Sequence, residues 1–143
     1  MMIWLGGFGG QFAGPDLGLG SPPWRLYRTL NDLFDPGPSR TLLFWDQRED
    51  SINWGNFYLD VSGYPDKPKA LRFRDDFPAS YHNRAGGLSF TDGHAEIKRW
   101  VDQRTTPPIR KDSNALLTFA PVSSANNKDI TWLQERATRK IKE

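Results

Sequence analysis

Gly87-Leu88-Ser89-Phe90-Thr91-Asp92-Gly93-His94-Ala95-Glu96-Ile97-Lys98-Arg99-Trp100 is the stretch that decides the fold of this chain. Two runs of alternating polar and apolar residues flank Asp92-Gly93. A two-residue Asp-Gly link between such runs signals a β-hairpin, because a type I′ turn needs φ > 0 at both central positions. Strand alternation then assigns Leu88, Phe90, Ala95 and Ile97 to the core face. His94, Glu96, Lys98 and Trp100 point the other way.

Outward from the hairpin, residues 41–46 (Thr-Leu-Leu-Phe-Trp-Asp) read as a buried strand that pairs with it. The spacing of Trp24, Tyr27, Leu30 and Phe34 predicts a helix over 22–34, with Ser21 as N-cap and Pro22-Pro23 in its first turn. Asp35-Pro36-Gly37-Pro38 stops it. A second helix is expected over 128–140, capped by Asn126 or Asn127, with Ile130, Leu133 and Ala137 as its apolar stripe. Residues 57–61 suit a short strand. Residues 62–80 and 102–125 read as loop, the first anchored to the core by Phe73 and Phe77. The glycine-dense opening, residues 1–20, reads as an ordered loop held by its aromatics. The expectation is one α+β domain over 1–143. It is loop-rich, with a small antiparallel sheet, a central Asp-Gly hairpin, an early helix and a C-terminal helix.

Composition narrows the function classes. Six Trp, nine Phe and four Tyr supply large apolar area for a core. Nineteen basic and 17 acidic residues are interspersed, so there is no basic stripe and no nucleic-acid partner is expected. Cysteine is absent, which removes disulfides and thiolate metal sites. No stretch approaches ~18 apolar residues, so no membrane insertion is expected of this sequence. No secretory signal opens it, and expressed as written it would stay in the cytoplasm.

His82 precedes Asp92-Gly93 by a nine-residue spacer, within Tyr-His-Asn-Arg-Ala-Gly-Gly-Leu-Ser-Phe-Thr-Asp-Gly-His-Ala-Glu-Ile-Lys-Arg-Trp. This resembles the H-x9-DG domain of prepilin-type, pseudopilin-like proteins, which are similar to type II secretion system protein G. Trp4-Leu5-Gly6-Gly7, Asp35-Pro36-Gly37-Pro38-Ser39, Arg48-Glu49-Asp50-Ser51-Ile52 and Asp129-Ile130-Thr131-Trp132-Leu133-Gln134 fit the same resemblance. The family begins with a basic leader and a long apolar helix, and neither is in this sequence. The resemblance therefore implies the C-terminal part of a pilin-like head. It implies the cell envelope or exterior as location, with an inner-membrane anchor, and other pilin-like subunits as partners. In such a head the sheet packs on the long helix. Without that helix an apolar sheet face stands bare, and self-association is expected.

The chemical candidates follow. His82, Asp92 and Gly93 form the motif, and its plain reading is a structural hydrogen bond from His82 to the turn carboxylate of Asp92. His82, Asp92 and His94 are also the candidate metal ligands, suited to calcium or zinc. Asp46, Glu49 and Asp50 follow a buried strand, and two carboxylates at the right separation could hydrolyse a glycoside. Trp45, Trp54 and Tyr58 could then stack on sugar rings. The opposing reading is a polar loop in which Arg48 pairs with the acids and the tryptophans enter the core. A catalytic role for His82 would need a nucleophile, and no G-x-S-x-G elbow is present. Two functions remain: a pilin-like head acting through its surfaces, or a small hydrolase, glycosidase before esterase, using Asp46, Glu49, Asp50 or His82.

Overall fold

The computed structural model describes residues 2–3, 24–25, 27–52, 56–74, 76–110 and 120–141. Apart from residues 2–3, the glycine-dense opening lies outside them, as do Ser21, Pro22, Pro23, Trp54 and Asp75. Among the described residues, seven strands and one α-helix follow in chain order. They are β1 (Met2–Ile3), β2 (Leu42–Trp45), β3 (Asn56–Phe57), β4 (Arg72–Arg74), β5 (Ala85–Phe90), β6 (Ala95–Arg99), β7 (Pro121–Ser123) and α1 (Lys128–Gln134). The main sheet has the order β3-β1-β2-β5-β6, and β4 pairs with β7 in a second, two-stranded sheet. Strands β2, β5 and β6 are antiparallel neighbours. Strand β1 runs antiparallel to β2, and β3 runs parallel to β1. The α+β, loop-rich architecture expected from the sequence is present.

The core lies between one face of the main sheet and the elements that cross it. Leu42, Trp45, Leu88, Phe90 and Trp100 meet Phe57, Phe73, Phe77, Ile130 and Leu133 there. Leu42 and Trp45 are three residues apart, yet both are buried. Strict alternation would put them on opposite faces. A shift of register between Leu42 and Phe44 absorbs the extra residue, in the manner of a β-bulge.

The hairpin forms, but its turn is longer than the sequence reading allows. The Phe90 N–H donates to the His94 carbonyl and the Gly93 N–H to the Phe90 carbonyl. Thr91, Asp92 and Gly93 therefore make a three-residue loop. Among them only Gly93 has positive φ, at 95°. This is a type I turn closed by a left-handed glycine. Taking one more residue into the turn slips the register by one, and a one-residue slip exchanges the faces of a strand. Leu88 is opposite Glu96, and Gly87 is opposite Ile97. Ala95 and Ile97, expected in the core, are exposed, and Trp100, expected outside, is buried.

Among the described residues of 22–34 the early helix is not formed, and they hold one 3-10 turn, Leu30–Asp32. Asp32 accepts the N–H groups of Arg28 and Thr29, which fixes the start of that turn. Upstream, Trp24 forms a β-bridge with Lys140, and the Arg25 N–H donates to the Arg139 carbonyl at 2.8 Å. The same pairing shortens the C-terminal helix. Asn127 caps α1, accepting from the Asp129 and Ile130 N–H groups, but the helix ends at Gln134 rather than near Lys140. Residues 138–140 leave it to pair with Trp24 and Arg25. Each expected helix thus loses turns to a contact between their far ends.

Candidate functional site

The loop after β2 carries the three candidate carboxylates, and each is held by a different part of the fold. Asp46 is exposed, and its Oδ2 accepts the Gly87 N–H at 3.1 Å. A Cβ at position 87 would stand 2.8 Å from that oxygen, so glycine there admits the carboxylate. Glu49 accepts the Tyr81 hydroxyl at 2.6 Å, and the Glu49 N–H donates to the same hydroxyl oxygen. Burial, and then the bond to Glu49, raise the Tyr81 hydroxyl above its ordinary range.

Asp50 is buried in a two-bond pair with Arg48, whose Nε and Nη2 donate at 2.9 and 2.7 Å. The Arg48 side chain is 0% exposed. Its remaining donors reach the carbonyls of Pro107 and Pro108, and the Arg110 N–H donates to Asp50. Desolvation pushes the Asp50 carboxyl upward. The Arg48 bonds, the Arg110 amide and the Arg48 charge outweigh it, so it stays below the ordinary carboxylate range. The polar-loop reading of this stretch pairs Arg48 with the acids, and the structure pairs it with one of them, Asp50. The clamp on residues 107–110 went unread, because it joins segments about 60 positions apart.

Of the aromatics proposed to stack on sugars, Trp54 lies outside the described residues. Trp45 is 2% exposed and stacks on Phe57, with ring centroids 3.8 Å apart. Tyr58 is half-buried. A groove of about 430 Å³ is lined by Ser80, Arg84, Gln103, Thr106, Pro107, Pro108 and Ile109, none of them a candidate carboxylate.

The motif residues are also separated. His82 lies in the turn before β5, where its N–H donates to the Ala85 carbonyl. Asp92 lies beyond the other end of that six-residue strand, roughly 20 Å along the chain. The expected His82–Asp92 hydrogen bond is therefore not made. Asp92 turns to His94 instead, accepting its N–H at 3.1 Å and facing its Nδ1 at 2.6 Å. The His94 ring bond first, and its N–H second, hold the Asp92 carboxyl below the ordinary range. The His94 ring stacks on Phe90 at 4.2 Å. The calcium or zinc set of His82, Asp92 and His94 is not assembled. Among the described residues no group of three or more candidate ligands could hold a metal ion.

The outer face of the sheet carries exposed apolar side chains. Phe44, Ser89 and Ala95 form one row across β2, β5 and β6, and Gly87 and Ile97 belong to the next. Ile97 is 70% exposed, and Phe44 and Val101 are exposed as well. No described helix is long and apolar enough to cross a membrane. A scan against protein-family models and searches of curated proteins and of solved structures find no match to this chain.

Proposed function

We propose that this chain is the head of a pseudopilin-like secretion or pilus-type protein and acts through its surfaces. One observation carries the reading against a hydrolase: all three loop carboxylates serve the fold. Asp46 holds a strand amide, Glu49 holds a tyrosine and Asp50 holds a buried arginine. A glycosidase needs two carboxyl groups free to face one sugar. The exposed strip of Phe44, Ala95, Ile97 and Val101 supports the same reading. In the family that the motif resembles, an apolar helix covers the sheet, and a strip of exposed apolar side chains suits a packed helix.

The test pairs binding with turnover. Immobilised chain is presented with purified pilin-like subunits, and the parent is compared with Phe44→Glu. Binding that this variant loses, with an unchanged circular dichroism spectrum, is the expected result. In parallel the parent is screened on chromogenic glycosides and esters. Turnover that Asp46→Asn or Glu49→Gln abolishes in a folded protein overturns the reading.

A further inference from the structure

Strand β6 ends the main sheet, and among the described residues its outer edge is open over a defined length. In an antiparallel pair, alternate residues turn their N–H and C=O groups toward the neighbour. The Phe90 N–H bonds the His94 carbonyl, and the Trp100 N–H bonds the Arg84 carbonyl. Even-numbered positions of β6 therefore face β5, and Ala95, Ile97 and Arg99 face outward. At one end the open edge stops at the hairpin turn. At the other, Asp129 of α1 accepts the N–H groups of Val101 and Asp102. Within the stretch, and among the described residues, the Arg99 carbonyl is met by the Lys98 Nζ alone, at 2.7 Å. Ile97 is the midpoint of this open edge.

We infer that β6 is a self-recognition edge, pairing antiparallel with β6 of a second copy about a two-fold axis at Ile97. Charge selects the same centre as the open length does. Antiparallel pairing at Ile97 sets Ala95 opposite Arg99 of the copy. Glu96 then stands opposite Lys98 twice, on the face that β6 shares with Leu88 and Phe90. The neighbouring registers that keep outward groups bonded place Glu96 opposite Glu96, or Lys98 opposite Lys98. Opposite charges across a strand pair stabilise and like charges destabilise, so one register is favoured. Three mutually bonded pairs would supply about six backbone hydrogen bonds. The Arg99 carbonyl then accepts from Ala95 of the copy. Lys98, 3.6 Å from Asp129 and with three N–H donors, turns toward Glu96 of the copy. The two Ile97 side chains meet on the outer face and extend its apolar strip.

The inference is independent of the pilin-like reading, since it rests on the edge and its charges. It is tested by sedimentation of the full chain from low micromolar to millimolar concentration. A concentration-dependent dimer is expected. Glu96→Lys or Lys98→Glu weakens it roughly tenfold or more, and the double exchange restores it. Ile97→Pro removes one outward N–H, which an edge strand tolerates, and abolishes the dimer while the monomer melts cooperatively. A chain that stays monomeric throughout overturns the inference. So does a dimer that Ile97→Pro leaves intact, or one that the double exchange fails to restore.

Discussion

Trp100 donates its indole N–H to the Ala79 carbonyl at 2.8 Å, and that carbonyl is also what a side chain at position 86 would strike. A Cβ on Gly86 would stand 2.7 Å from the oxygen. Backbone held on one side by a buried tryptophan cannot easily give way. Gly86→Ala should therefore cost about 1–3 kcal/mol, as overpacking does. Gly87→Ala first meets the movable Asp46 carboxylate and should cost less. Thermal melts of both variants check the order, and equal losses would refute the asymmetry.

The Arg48–Asp50 pair should dominate electrostatic stability. Removing one partner of a buried pair leaves the other charge uncompensated, at about 3–5 kcal/mol. Arg48→Ala also strands the Pro107 and Pro108 carbonyls, so it should be the worse of the two. Urea unfolding of Arg48→Ala and Asp50→Asn measures this. A loss below about 1 kcal/mol in both, the worth of an exposed pair, would mean that the pair is not buried as described.

Acid should act through the same carboxylate. The Asp50 carboxyl lies below its ordinary value of 3.8 in the folded chain. The unfolded state then binds more protons at low pH. The stability that Asp50 contributes is complete above 3.8 and is lost as pH falls through the folded value. Asp32, Asp92 and Asp102 are lowered too and add the same sign. Asp50→Asn should flatten the acid limb of the stability–pH curve without abolishing it. An unchanged limb would count against the assignment.

The H-x9-DG spacing invites a direct check of which histidine serves Asp92. Effects of His82→Ala and Asp92→Ala should add, because the residues lie at opposite ends of β5. Effects of Asp92→Ala and His94→Ala should not, because the two side chains meet at 2.6 Å. Double-mutant cycles by thermal denaturation separate the cases. Coupling between positions 82 and 92 would restore the bond expected from the motif.

These contrasts show where the sequence is legible and where it stops being so. Alternation and Asp92-Gly93 announce a hairpin, and the run from Leu42 to Trp45 announces its partner. Whether Thr91 belongs to the strand or the turn is not written in any local pattern, yet that one residue decides which face of β6 is buried. Strands β4 and β7 are three residues each, and Phe73 finds Val122 across almost fifty positions. Nothing near either residue signals the pairing. The periodicity from Trp24 to Phe34 is real, but the chain spends it differently, on a bridge to Lys140, on a capped turn and on a buried Leu33. Among the candidate carboxylates, Arg48 beside Asp50 is visible in the sequence, whereas Tyr81 for Glu49 and Gly87 for Asp46 become neighbours only after folding.

The bridge between Trp24 and Lys140 also has a mechanical meaning. Because these two segments run antiparallel, Trp24 stands beside Lys140 at one end of a short ladder that continues through Arg25 and Arg139. A force pulling them apart loads the Arg25–Arg139 hydrogen bond and its neighbours one at a time, as a zipper opens, and not all together in shear. Tension applied between residues 24 and 140 should therefore peel residues 138–141 away while Ile130, Leu133 and the sheet beneath them stay packed.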